Sequence, residues 1–487
     1  MERDIIIFLI DSYFDIKNFF FETKNISVRT EFLKSKAQAF HKKYYRKEYV
    51  LIDEKAQEHL EKNFSIFIKY KDTSFIFPHM FAKYIELEEM HKIDYLQEIE
   101  LYFSFVRVNK DILLHIFLTS FFYYLQQIDV KLSNLEFEVL KLLTNNEFMF
   151  YFHDEEGNKR DFRTYAPTYL EIFNTLKKKE IISSKRTIQK LKTYLFNYQI
   201  CYDRRIFINF AKIGFIYVFI EKMIEIPDNI KEFCLWEIQH GNIKDIILCI
   251  PFGNVDELVG EYHYEILSTF YFNVDISQYD RKKKWANFNL PFTNLISVEE
   301  ETEPNKINNW DIKPLQKIEC PIDSLDVELL DNITKSNTSN YVALSQLTKK
   351  ITKNHIDKRL SKLAKCGFFR FHSQVNFLGI DLVLCLKIRT NGESQHRLNI
   401  INFFSFFPEV MMFTNKDLMV VYIRVPKSIA NSLLKNIYLF NLLFKNQQRS
   451  IFLYSQDYYN IKNSLYVLEK IKYEQGIAKL GCETRID

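Results

Sequence analysis

Between Thr352 and Phe369 the apolar positions Ile356, Leu360 and Leu363 recur at i, i+4 and i+7, the spacing of a helix with one buried stripe. Thr352 can cap its start and Gly367 can end it. The opposite face carries Lys353, Lys358, Arg359, Lys362 and Lys365 against Asp357 alone, with Asn354 and His355 as hydrogen-bonding side chains near the start. Upstream, Leu325, Leu329 and Ile333 form another helical stripe, and Leu344 and Leu347 begin a second short helix. Downstream, "FFRFHSQVNF" alternates with the period of two that a strand requires. Two helices, a turn, a basic helix and a strand make the layout of a winged helix-turn-helix.

The pattern then changes. "LVLCLKIRT" reads as a strand, "RLNIINFFSFF" as a helix, "EVMMFT" and "DLMVVYIRV" as strands, "SIANSLLKNIYLF" as a helix and "RSIFLYSQDYY" as a strand. Strand, helix, strand, strand, helix, strand is the ferredoxin-like order. The same succession occurs earlier in the chain. "LSNLEFEVLKLL" supplies an opening helix and "TYLEIFNTLKKKEI" a second, while "SSKRTIQKLKTYL" from Ser183 supplies a basic helix with Ile188, Leu191 and Leu195 on one stripe. This helix carries Lys185, Arg186, Lys190 and Lys192 and no acid. Leu135 and Ile188 are 53 positions apart, whereas Leu325 and Ile356 are 31 apart, so about 22 residues are inserted around "YFHDEEGNKRDFRTYAP" as a loop or hairpin.

A third, degenerate copy is expected in the first 130 residues. There "ISVRTEFLKSKAQAFHKKYYRKEYVLI" reads as helix then wing, "NFSIFIKYK" as a first strand, "YLQEIELYFSFVRV" as the hairpin and "KDILLHIFLTSFFYYL" as a helix. The expected organisation is an α+β chain in successive segments. They are an N-terminal region 1–130, a winged helix-turn-helix 131–210, a ferredoxin-like domain 211–297, a linker 298–320, a second winged helix-turn-helix 321–378, and a second ferredoxin-like domain with a C-terminal helix 379–487. The linker is placed on "VEEETEPNKINNWDIKP", acidic and then polar with Pro304 and Pro314.

The pairing of these two modules resembles the leucine-responsive, or feast/famine, regulators (the Lrp/AsnC family) over about Leu325 to Leu453. "LDVELLDNI", "ALSQLTKKI", "IDKRLSKLAKCGFF" and "FPEVMMFTNKDLMVVYIRV" carry the resemblance. It implies duplex DNA as partner. Lys185, Arg186, Lys190, Lys192, Lys353, Lys358, Arg359 and Lys362 would neutralise phosphates, and Thr187, Asn354 and His355, with Arg186, stand near helix starts where base edges can be reached. The family also implies an amino-acid-like effector near the central hairpin turn. Matching positions are Gly253, Asn254 and Asp256 in "PFGNVDELVG", and Asn415 and Asp417 in the last copy, where Thr414 replaces the usual glycine. A chain with two such units can make the family's usual pair internally, as a pseudo-dimer, or assemble into a homo-oligomer.

Composition narrows the alternatives. A chain of 487 residues with 47% hydrophobic positions fills roughly three domains. Its longest apolar runs fall short of the roughly 18 residues a membrane span needs, and no leader is visible, so a cytoplasmic location with no membrane partner is expected. Seven cysteines show neither a C-x-x-C pair nor a rhythm with the histidines, which suggests neither zinc nor a disulfide framework. Phosphate-cradling, dinucleotide, zinc-protease and nucleophile-turn motifs are missing, so no cofactor and no enzymatic activity are expected. The reading that follows is a sequence-specific DNA-binding regulator; a protein-interaction or scaffolding module that has lost DNA reading is the alternative.

Overall fold

The computed structural model describes residues 2–44, 65–70, 73–94, 96–127, 129–144, 152–153, 159–160, 169–181, 183–198, 200–290, 292, 295, 308–313, 322–336, 353–376, 378–380, 382–392, 394–447, 449–453, 458–461, 471–474 and 477–480. They form two compact units: Met1–Asn134 with Asn376–Asp381, and Leu135–Val375 with Leu382–Asp487. Among the described residues no helix is long and apolar enough to cross a membrane.

The first unit is mainly helical. It contains α1 (Glu2–Glu22), α2 (Ile26–Tyr44), the hairpin β1 (Ile66–Tyr70) and β2 (Thr73–Phe77), α3 (His79–Glu89), β3 (Ile93–Asp94), α4 (Leu96–Val108), α5 (Leu114–Gln127) and β4 (Asp129–Val130). Its core is aromatic: Tyr13, Phe75, Phe77, Phe81, Phe103 and Phe121 are buried and meet mainly edge to face. The segment "YLQEIELYFSFVRV", expected to be a hairpin, is helix α4. Its Phe103/Phe105 and Val106/Val108 pairs imitate a period of two, but Ile99, Phe103 and Val106 are the buried ones, at i, i+4 and i+7. The wing expected after α2 lies outside the described residues.

The second unit opens with α6 (Asn134–Thr144), the short pair β5 (Phe152–His153) and β6 (Lys159–Arg160), α7 (Tyr169–Lys178) and α8 (Lys185–Asn197), then β7 (Cys201–Ile208). A ferredoxin-like domain follows: β8 (Phe215–Met223), α9 (Asp228–Lys231), β9 (Cys234–His240), β10 (Ile243–Pro251), α10 (Val255–Val259) and β11 (Tyr264–Leu267). Next come β12 (Thr269–Val274), β13 (Asn308–Asp311), α11 (Ser324–Ser336), α12 (Lys353–Lys365) and β14 (Phe369–Val375). The second ferredoxin-like domain is β15 (Leu382–Arg389), α13 (Ser394–Phe404), β16 (Glu409–Thr414), β17 (Leu418–Val425), α14 (Lys427–Phe444) and β18 (Ser450–Leu453). The chain continues into β19 (Tyr458–Ile461), β20 (Ile471–Glu474) and β21 (Ile477–Leu480). The helix expected around Leu344 and Leu347 lies outside the described residues.

Both domains share one strand order, β11-β8-β10-β9 in the first and β18-β15-β17-β16 in the second. Each sheet is then extended by a strand from the other domain's end. β12, which leaves β11 after Ser268, pairs with β16, and Phe270 stands opposite Phe413. β19, which follows β18, pairs with β9, and Ile461 stands opposite Trp236. The strands expected as free wings are also reciprocal: β7 and β14 pair with each other, Ile208 opposite Phe369 and Cys201 opposite Val375. One core spans both domains, with Phe413 against Tyr217, Trp236 and Phe270.

Two sequence expectations change here. The tract taken as a linker contributes β13 to the edge of β12. After β18 the described residues are the strands β19, β20 and β21, and the expected C-terminal helix lies outside the described residues. Cys201, Cys234, Cys249 and Cys385 are free and buried, but Cys366 is disulfide-bonded, which the cysteine spacing did not suggest.

Glycine acts at two junctions. Gly214 (φ +87°) lets the short 3-10 turn after β7 swing into β8, and Gly367 (φ +74°) ends α12 as its stripe predicts. The hydrophobic run of β17 is buried along its whole length and encloses an ion pair, Arg424 to Glu409 at 2.8 Å, with both side chains 1% exposed. Arg424 Nη1 also donates to the Val375 carbonyl at 2.8 Å, tying β14 to β17.

Two outcomes follow from these contacts. Ending the chain after Leu453 removes β19, so hydrogen exchange is expected to quicken in β9; unchanged β9 protection would show that the strand is not held there. Glu409→Ala leaves the Arg424 guanidinium buried without its counter-ion and is expected to cost about 3–5 kcal/mol in denaturant unfolding.

Candidate nucleic-acid interface

Helix α8 forms because Ile188 and Leu195 bury one stripe and Ser184 caps the start, its Oγ accepting the Thr187 N–H at 3.0 Å. Thr187 Oγ1 and Ser184 Oγ lie 2.8 Å apart, which places the Thr187 hydroxyl in the cap. Arg186 and Lys190 are exposed and, among the described residues, meet no carboxylate. Lys185 is exposed as well and lies 5.6 Å from the Phe173 ring centroid, and Lys192 lies at the same distance from Phe196.

Helix α12 differs. Ile356, Leu360 and Leu363 are buried as the stripe predicts, and His355 and Lys358 are exposed. Two of its bases turn back to the opening helix α11, where Asp326 is fully buried. Arg359 Nη1 donates to Asp326 at 2.7 Å and to Asp323 at 2.8 Å, and Lys362 Nζ donates to Asp326 at 3.0 Å. Arg359 Nε also donates to His355 Nε2 at 3.2 Å. The side chains of Lys353 and Asn354, and the Thr352 cap, lie outside the described residues. The place of Asp326 is taken in the first motif by Glu136, also buried, and that of Lys362 by Tyr194. Burial, and then the Glu136 charge, push the Tyr194 phenol above its ordinary value. Sequence reading counted the bases of α12 without this counter-charge, because an acid within "SLDVELL" looks like one more helix-surface residue.

The expected effector positions separate. Gly253, Asn254 and Asp256 do not form a hairpin turn: they lie in the 3-10 turn and helix α10 that carry the chain from β10 to β11. Asn254 Nδ2 donates to Glu257 Oε2 at 2.7 Å, and the acids of this first helical turn favour the helix, as does burial of Leu258 and Val259. The hairpin turn of that domain is Gly241-Asn242, between β9 and β10, with Gly241 at φ +58°. Asn415 and Asp417 do occupy the β16–β17 turn. There Asn415 Oδ1 accepts the Asp417 and Leu418 N–H groups at 2.8 and 2.7 Å, and its Nδ2 donates to the Ile266 carbonyl at 3.1 Å. Asn415 thus closes its own turn and fastens it to the edge of β11.

Beside this turn runs an ion cluster that sequence reading missed. Arg389 bonds Glu221 and Glu265, while Lys387 Nζ reaches Asp245 at 2.7 Å and Glu221 at 3.6 Å. Burial opposes the Arg389 charge, but Glu265 and Glu221 outweigh it and raise the pKa. The cluster joins β15 of one domain to β8, β10 and β11 of the other.

The fold is an α+β arrangement of tandem winged helix-turn-helix and ferredoxin-like units. A scan against protein-family models and a search of the curated proteins return no match. Among solved structures the chain is similar to the siroheme decarboxylase NirDL in co-complex with an iron-uroporphyrin III analogue, with 10% identity, a TM-score of 0.33, and 69% of this chain and 97% of that one covered. It is similar to the same decarboxylase in a second structure, with 10% identity, a TM-score of 0.32, and coverage of 68% and 94%. The expectation that this chain is not an enzyme is corrected by these matches, since the protein concerned is a decarboxylase. At such TM-scores the likeness assigns this chain no activity and no substrate.

Acid should loosen the α11–α12 contact. Burial raises the Asp323 pKa, but the Asp326 N–H and Arg359 outweigh it and hold the carboxyl below its ordinary 3.8. A lowered folded pKa means that the contribution is complete above 3.8 and lost as the pH falls through the folded value. Melting temperatures measured across that range should drop, and Asp323→Asn should flatten the drop; an unchanged profile in the variant would assign the acid sensitivity elsewhere.

Proposed function

We propose that the chain is a duplex-DNA-binding transcription regulator of the leucine-responsive, Lrp/AsnC-like kind, with α8 and α12 as its paired recognition helices. The observation that carries this reading is the outward face of α8, where Lys185, Arg186 and Lys190 are exposed and, among the described residues, unpaired with acids. Three bases within two turns of one helix match the spacing at which phosphates line a groove. The adjoining Thr187 stands near the helix start, where base edges are within reach. Pairing of β7 with β14 links the strands that follow the two basic helices, which is how a single chain would address two half-sites. An effector role enters this reading only at Asn415 and Asp417, beside the ion cluster.

The test is fluorescence anisotropy with a short duplex of random sequence. Binding at low salt is expected, with log K falling linearly against log[salt] by about 0.9 for each phosphate neutralised. Lys185→Ala, Arg186→Ala and Lys190→Ala together should reduce that slope by roughly 2–3. A chain that binds no duplex at low salt would favour the scaffolding alternative.

A further inference from the structure

We infer that a second copy of this chain docks on the outer face of α14, giving a closed dimer whose two-fold axis passes near Tyr438 and Leu439. The inference is independent of what α8 and α12 bind. Helix α14 is apolar on two sides. Ile429, Leu433, Ile437, Phe440 and Phe444 make the stripe that buries it in its own domain. Leu434, Tyr438, Leu439, Leu442 and Leu443 lie on the other side and are between 43% and 65% exposed. A helix at the surface of a globular domain keeps its outer face polar, and one that is apolar all round is a helix that something covers. The five side chains form two rows with a spacing of four, Leu434-Tyr438-Leu442 and Leu439-Leu443. Such rows are the ridges by which one helix packs into the grooves of another.

The area fits a second copy. Large apolar side chains carry roughly 150–200 Å² each, so five that are about half in solvent make a patch on the order of 400–500 Å². Two such patches with a polar rim reach the floor of about 1,000 Å² for a specific interface. The number of chains follows from the other ferredoxin-like domain. In the place of α14 it has the five-residue α10, whose outward residues are Asp256 and Glu257. Each chain therefore offers this face once, and a patch that meets its own copy closes at two. An anionic membrane surface fits less well, because it is held by clusters of about four to eight bases. Helix α14 and the turn after it carry Lys427, Lys435 and Lys445, spread along their length.

The experiment compares the full-length parent, Leu439→Glu/Leu442→Glu and Phe105→Glu by sedimentation from about 1 to 100 μM, a span over which mass action shifts a micromolar equilibrium. Phe105 is 58% exposed on α4, and it would matter only if α4 of one chain met α14 of another. The parent should approach twice the mass of one chain as its concentration rises. Two carboxylates carried into the interface should weaken association by about 100-fold or more. Circular-dichroism melting should not change, because both leucines are in solvent in the single chain. Phe105→Glu should associate like the parent. Leu439→Cys, near the axis, should under mild oxidation link two chains through that same position, seen by peptide mass. A parent that stays single throughout, a double variant that still pairs, or a Phe105→Glu chain that dissociates overturns the inference. So does a parent that stays single in solution but floats with phosphatidylserine–phosphatidylcholine vesicles and loses that binding in the double variant, which would assign the face to a membrane.

Discussion

The second unit depends on a reciprocal exchange of strands. β12 leaves the first ferredoxin-like domain to extend the sheet of the second, and β19 leaves the second to extend the first. An edge strand exposes a row of unpaired backbone groups, and each domain covers the edge of the other. The aromatic core follows from this exchange. Phe270 can reach Phe413, at 4.5 Å between ring centroids, because β12 carries it onto the neighbouring sheet. The two domains are in this sense one folding unit, although the sequence is written as two copies.

The same pairing governs the chemistry at the other places where the copies meet. Across the two sheets, Arg389 and Lys387 of the later domain face Glu221, Asp245 and Glu265 of the earlier one. In a pair of identical subunits each such contact would occur twice, related by the two-fold axis. Here the later domain supplies the bases and the earlier domain the acids. The helix-turn-helix motifs differ as well: Asp326 and Glu136 occupy matching places in the opening helices, while Lys362 and Tyr194 occupy matching places in the basic helices.

Much of this architecture was legible because its elements obey simple periods. The α12 stripe, the Gly367 stop and the run "EVMMFT" before the β16–β17 turn each express one local rule. Where two rules competed, the sequence misled. Phe103, Phe105, Val106 and Val108 satisfy a strand's alternation and a helix's stripe at once, and burial of Phe103 and Val106 decides for the helix. "PFGNVDELVG" has turn residues, but Leu258 and Val259 pack inward and make it helical. The strand exchange and the Asp326 contact were invisible for a different reason, since each joins residues far apart and leaves no mark on local composition.

The most direct test of the intrachain pair is a designed disulfide between β19 and β9. Asn460 stands opposite Glu237, so cysteines at those two positions are placed to bond under mild oxidation. The exchange predicts a disulfide within one chain, seen as an intact mass lower by the two hydrogens lost and as faster migration on a non-reducing gel at the size of a single chain. A bond that forms only between two chains, or not at all while the protein remains folded, would contradict it.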